Sequence, residues 1–432
     1  VSTGGSEKQR SLRTPAIVVG TLLAVAVAGI LLSVLLRDSG GEAGPPAEPG
    51  PGTATAPGPP ARGALAWQLA EPADLGGPDD QQMTAVVNPL RGASPPFVAV
   101  GSRRTSEGQD AAVWTSTDGN VWTAVAKRGL AASGDQQMLG LALWTKFGRL
   151  VAGGYDASGS TADAALWISE DASSWDRVAV PAERGVNELI SRVGGTRVGL
   201  VGAGWRTGGS TDGDDGAIWI LGAPDAPVEL VADPDLGGPG DQRVNRVVQL
   251  GDGRFVAVGL DQGRAGVWFS ADARSWDRVA SPALRGKDQE ILDTVALGES
   301  GIVAVGRAGQ NGAVWFSRDG EVWSRAPDLG DAFAAGNGSV LVSSVVASER
   351  AATSAGAPPL LAGGIAGSDA AVWTSRNGRT WAREPSAEGG LHGEGACAIA
   401  DVTARGLPVV AVGSIGRSSV GLDAAVWLGE AP

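Results

Sequence analysis

One tripeptide, Ala-Val-Trp or a close variant of it, returns along the chain with its tryptophan at Trp114, Trp167, Trp219, Trp268, Trp315, Trp373 and Trp427. Successive copies stand 47 to 58 residues apart. That period is longer than most helical or leucine-rich repeats and matches a four-stranded propeller blade. Each repeat offers four short apolar segments, which in the first begin as Met83 to Val87, Val98 to Gly101, the Trp114 strand and a segment opening at Trp122. Small, β-branched and aromatic residues bounded by Gly, Asp and Asn are the pattern of short buried strands. With 67 Gly and 25 Pro in 432 residues and few strong helix formers, the composition agrees with an all-β chain rich in turns. The repeats predict a seven-bladed β-propeller over residues 64–432.

The ends of this region predict how the ring closes. The seventh repeat reaches its third segment at Trp427 shortly before the sequence stops, so a fourth is missing there. Trp67 precedes Met83 by 16 residues, the interval that separates Trp122 from Met138. The Trp67 segment is therefore expected to serve as the outer strand of the last blade, leaving no free radial edge.

Between third and fourth segments lies a tight hairpin, written Ser116-x-Asp118-Gly119-x-x-Trp122 and Ser317-x-Asp319-Gly320-x-x-Trp323. A carboxylate accepts backbone N–H groups in such a turn, Gly permits a positive φ, and the Trp buries a wide ring. Ser169 with Asp171, and Ser270 with Asp272, keep the pattern but place Ala172 and Ala273 where Gly would stand; Ser375 is followed by Asn377. The third repeat lacks the motif. These hairpins resemble the Asp-box, or BNR, repeat of the sialidase-like β-propellers, although Gly directly follows Asp here and the turn is one residue shorter. The resemblance implies a structural role for Ser116, Asp118, Ser169, Asp171, Ser270, Asp272, Ser317, Asp319 and Ser375.

Ahead of the repeats, Ala16 to Leu36 is an uncharged run of 21 residues, about 30 Å as a helix and enough to span a bilayer core. Lys8, Arg10 and Arg13 precede it and only Arg37 follows closely, which places the N-terminus in the cytoplasm. The run is longer than a signal-peptide core. The expected organisation is a cytoplasmic tail (residues 1–14), an uncleaved transmembrane helix (15–37), a Pro/Gly-rich stalk (38–63) and an extracytoplasmic propeller. Scarce Lys and abundant Arg suit a GC-rich bacterial gene. The sole cysteine, Cys397, excludes an internal disulfide. A net charge of -13 excludes nucleic acid as a natural partner, since its phosphate backbone demands dense positive charge.

Parts common to all repeats build the ring, so function is sought where repeats differ. The varied loops joining second and third strands bring Arg103, Arg104, Tyr155, Trp205 and Arg206 to one side, and His392 approaches from its own loop. These residues are candidate ligand contacts, Arg and aromatic side chains being common anchors. Asp212, Asp214 and Asp215 fall short of a calcium loop because Gly216 occupies the fifth position. No cofactor or metal is expected. The resulting reading is a membrane-anchored binding or scaffolding module for a protein, a peptide or a cell-envelope glycan. The competing reading is a sialidase-like glycoside hydrolase, whose chemistry needs a tyrosine nucleophile; Tyr155 is the only tyrosine.

Overall fold

The computed structural model describes residues 65–430 apart from 71–74, 77–78, 89–95, 107, 127–129, 131–133, 209–212, 327–328, 337, 349–358, 386–389, 393–394, 407 and 417–420. The expected tail, membrane helix and stalk lie outside the described residues. Among those described, no helix is long and apolar enough to cross a membrane.

The described chain forms seven four-stranded antiparallel sheets. Blade 1 is a simple meander of Gln81–Val87, Phe97–Thr105, Gly108–Ser116 and Trp122–Ala124. Blades 2 to 6 repeat it, their innermost strands being Asp135–Trp144, Asn187–Thr196, Gln242–Gln249, Gln289–Ala296 and Val340–Ala347. In blade 7 the strands Cys397–Thr403, Val409–Gly416 and Leu422–Glu430 are completed by Ala66–Leu69, with Trp67 opposite Gly429 and Leu69 opposite Trp427. The ring thus closes with the early Trp67 strand, as the 16-residue interval indicated. A further clasp comes from blade 6, where Glu384 accepts a hydrogen bond from the Leu65 amide at 3.3 Å and another from the Thr374 hydroxyl at 2.8 Å.

The core lies between blades. The tryptophans of the repeated tripeptide are at most 1% exposed, and each slab joins two neighbours, as where Val98, Val100 and Val113 of blade 1 meet Met138, Trp167 and Trp175 of blade 2. The hairpin after the third strand locks the outer edge. In blade 1 the Asp118 carboxylate accepts from the amides of Asn120 and Val121 at 2.8 and 2.9 Å, while Ser116 Oγ accepts from the Gly119 amide at 2.8 Å. The Trp122 indole N–H closes back onto the Gly119 carbonyl at 2.7 Å. The same bonds recur around Asp171, Asp272 and Asp319, and in blade 6 Asn377 replaces the carboxylate. The residue after Asp is left-handed in every copy: Gly119, Gly320 and Gly378 have φ of 83°, 86° and 70°, and Ala172 and Ala273 adopt 64° and 65°. Those two alanines hold a conformation that an L residue disfavours.

Two devices join the blades near the axis. The aspartate leading into an innermost strand caps the third strand of the preceding blade: Asp80 accepts from the Leu422 amide at 3.0 Å, Asp135 from Gln109 at 2.8 Å and Asp241 from Asp214 at 3.2 Å. This is the inter-blade bonding that the recurring Asp-Gln pair suits. Each innermost strand also carries a bulge, at Thr84, Leu139, Ser191, Asn245, Leu292, Ser343 and Ala400. A bulge shifts register by one residue and re-aims the side chains beside it. Thr84 donates to the Met138 carbonyl at 2.7 Å and Ser343 to that of Ile399 at 2.6 Å, each crossing to the next blade.

Candidate functional site

In a four-stranded meander, the turns after the first and third strands share one face, and those after the second strand share the other with the lead-in segments. The candidate residues Arg103, Arg104, Tyr155, Trp205, Arg206 and His392 all lie toward the second face. Strands there run further than their sequence signature indicated, reaching Thr105, Ala157 and Thr207. Tyr155 and Trp205 are therefore strand residues, and alternation turns both inward. They are 1% and 4% exposed and pack with Leu139, Ala162 and Leu189. The Tyr155 hydroxyl donates to Gln137 at 3.4 Å, and burial pushes its pKa above the usual phenol range.

Arg104 and Arg206 are engaged in ion pairs, and His392 stands beside a carboxylate. Arg104 meets Asp80 at 3.2 Å. Arg206 reaches Glu188 at 2.7 Å and also Glu183. His392 lies 2.9 Å from Asp369. Arg103 is partly buried, paired in register with Gln81 and Asp110. Tyr155 and Trp205 share one cluster where blades 2 and 3 meet, and Arg104 is near enough to Tyr155 to pull its pKa down, while His392 meets Asp369 of blade 6. Asp214 is held by Thr207 and by Arg243 at 2.5 Å, and Asp215 accepts the Gly238 amide at 3.1 Å, so both organise their loop; Asp212 lies outside the described residues. Among the described residues no cluster of His, Cys, Asp and Glu is suited to a metal.

A concave surface lies on the other face, that of the Ser-x-Asp hairpins. A funnel of about 810 Å3 opens there on the axis, lined by the ends of the innermost strands of all seven blades. Its wall is mixed, with apolar Leu141, Leu143, Val193 and Val247 beside polar Asn88, Thr196, Gln249 and Thr294. Arg246 and Arg405 supply the only charges among its described lining residues. Because each innermost strand is last in its sheet, its outer row of backbone N–H and C=O groups faces the axis rather than another strand.

Beneath the funnel the axis is filled by the residues that follow the bulges. In blades 1 and 2 these are Ala85 and Gly140; in blades 3 to 7 they are Arg192, Arg246, Asp293, Ser344 and Asp401. Arg192, only 9% exposed, reaches from blade 3 across the axis and donates to the carbonyls of Thr84 and Leu139 at 3.1 and 3.2 Å and of Ala400 at 3.2 Å. One guanidinium thus ties blade 3 to blades 1, 2 and 7. Asp401 accepts from Ser344 at 2.8 Å and from the Val86 amide at 3.1 Å. Asp293 accepts from the amides of Thr294 and Val345, both at 2.9 Å, and lies 3.6 Å from Arg246. Burial pushes the Asp293 pKa up, against the pull of Arg246 and Arg192. The sequence signal for this group is the placement of charges inside otherwise apolar innermost strands, at a position that is never charged in the first two repeats.

No family model matches the chain and no curated protein matches it. Solved structures do. YCF48 bound to D1 peptide aligns over 85% of this chain and 97% of its own at 12% identity, with a TM-score of 0.50. Sqt1 from Chaetomium thermophilum, bound to the N-terminus of the ribosomal protein L10, aligns over 82% and 86% at 11% identity and a TM-score of 0.42. Trypanosoma rangeli sialidase in complex with sialic acid aligns over 82% and 59% at 11% identity and a TM-score of 0.40. At 12% identity what this chain shares with YCF48 is the fold alone.

Proposed function

We propose that this protein is a binding module that holds an extended polypeptide segment in the axial funnel. The observation that carries the reading is the funnel itself: a concave surface of mixed apolar and polar residues built by all seven blades, with strand edges turned toward its centre. Main-chain groups on such edges bond an extended peptide, and apolar wall residues take its side chains. The solved YCF48 complex, a propeller with a peptide ligand, supports the same reading by likeness of fold. The Ser-x-Asp hairpins are Asp-boxes in this proposal, working as fasteners of the rim rather than as ligand contacts. The propeller stands outside the cytoplasmic membrane of a bacterium on the stalk of residues 38–63, anchored by residues 15–37.

Photocrosslinking tests the reading. A benzophenone side chain placed at Leu143, on the funnel wall, is expected to trap a polypeptide in intact cells, whereas one placed at Arg104 on the opposite face is not. Crosslinks from Arg104 alone would reject the funnel as the site. Anchorage is tested by fractionation: the full chain is expected with the membranes, and a chain lacking residues 15–37 without them.

A further inference from the structure

Resting on that reading, we infer that the funnel receives the carboxyl-terminal end of its polypeptide and that Arg246 takes the terminal carboxylate. Two observations lead there. The first is charge. In a chain of net charge -13, the described lining of the funnel carries Arg246 and Arg405 and no acid. The Arg246 side chain is 31% exposed, and its Nε has no hydrogen-bond acceptor. Its nearest carboxylate, Asp293, stands at 3.6 Å and is already occupied by two backbone amides. The guanidinium is therefore held in place by a charge it does not fully bond, and the rest of its donor fork is turned to the funnel. A planar fork of N–H donors fits a carboxylate in a bidentate pair.

The second observation is that the axis is occupied below. Arg192 crosses it, bonded to carbonyls of three other blades, and the side chains of Asp293, Ser344 and Asp401 share the same level. A polypeptide entering from the wide mouth has no exit on the far side. What arrives at the bottom is an end of the chain, and the end that carries negative charge is the carboxyl terminus. A fatty acid would also bring a carboxylate and an apolar body, but it offers no main-chain groups to the inward-facing edges of the innermost strands; an extended peptide bonds those it lies against.

The test uses the full 432-residue chain and a pool of randomised octapeptides prepared twice, with a free carboxyl terminus and with a terminal amide. Retention on the immobilised protein is read by mass spectrometry. The free-acid pool is expected to be retained at least tenfold over the amide pool. Arg246→Gln removes the difference, Arg246→Lys restores part of it, and thermal unfolding checks that each variant is folded. A bulky Leu143→Trp replacement on the wall leaves Arg246 in place and lowers retention of both pools. If wild type retains acid and amide pools equally, the carboxylate inference fails while peptide binding stands. If Arg246→Gln, folded, keeps the acid preference, the role of Arg246 fails. If neither pool is retained and radiolabelled palmitate is, the polypeptide reading itself is overturned.

Discussion

The amide of Leu65 donates to the Glu384 carboxylate at 3.3 Å across a separation of 319 residues, and two residues further on Trp67 lies opposite Gly429. The two ends of the propeller are thus fastened by side chain and by ladder. Burial raises the Glu384 pKa, and the Thr374 and Leu65 hydrogen bonds pull it back only in part.

Removing residues 64–71 is expected to lower the denaturation midpoint far more than trimming any turn. Trp67→Ala alone is expected to cost about 3–5 kcal/mol, the usual cost of emptying a buried tryptophan site. Urea unfolding followed by tryptophan fluorescence measures both. An unchanged midpoint after the deletion would mean that the blade 7 pairing contributes nothing.

Acid stability is expected to depend on the hairpins. The carboxyl groups of Asp118, Asp272 and Asp319 are held below the usual aspartate range chiefly by backbone amides, those of Val121, Ser275 and Val322, and that of Asp171 by the Ser173 hydroxyl. A depressed folded pKa contributes stability above the ordinary value of 3.8, and that stability is lost as pH falls through the folded values. Asp293, Glu188 and Glu384 are raised by burial and act with the opposite sign, their contribution fading as pH rises. Replacing all four hairpin aspartates with Asn, the solution already present at Asn377, is expected to flatten the acid limb of the stability curve below about pH 4. Melting temperatures from pH 2 to 7 for the two proteins decide it.

The left-handed hairpin position offers a paired test. A Cβ on Gly320 meets the Val256 methyl at 2.6 Å at a φ of +86°, so Gly320→Ala is expected to cost about 1–3 kcal/mol through overpacking and strain. Ala172→Gly relieves the backbone but empties a fully buried methyl site, and the two effects, each near ~1 kcal/mol, are expected to offset. Chemical denaturation of both variants gives the comparison.

At the axis, Arg192→Ala leaves three inward-facing carbonyls without their donor. A charged hydrogen bond contributes roughly 1.5–3 kcal/mol, so a loss of at least about 3 kcal/mol is expected. Faster amide exchange should appear in the innermost strands of blades 1, 2 and 7 ahead of their outer strands. Uniform exchange in all blades would contradict the cross-axis role.

The ring was legible because its parts repeat: Trp114 to Trp427 mark the blades, and the interval from Trp67 to Met83 exposed the borrowed strand. The funnel was not, because its lining comes from short runs at the ends of seven distant strands, and a bulge sets Arg192, Arg246 and Asp293 one residue out of simple alternation. Variation between repeats pointed instead to Tyr155 and Trp205. Their exposure hinged on where the second strands stop, and three more paired residues turned both rings into the space between blades.

A ring open at both ends can travel along a polymer and read it as it passes. With Arg192 laid across its bore, this one offers a blind end: a peptide held as proposed would leave by the mouth it entered, and the length of partner outside the mouth would add no contacts within.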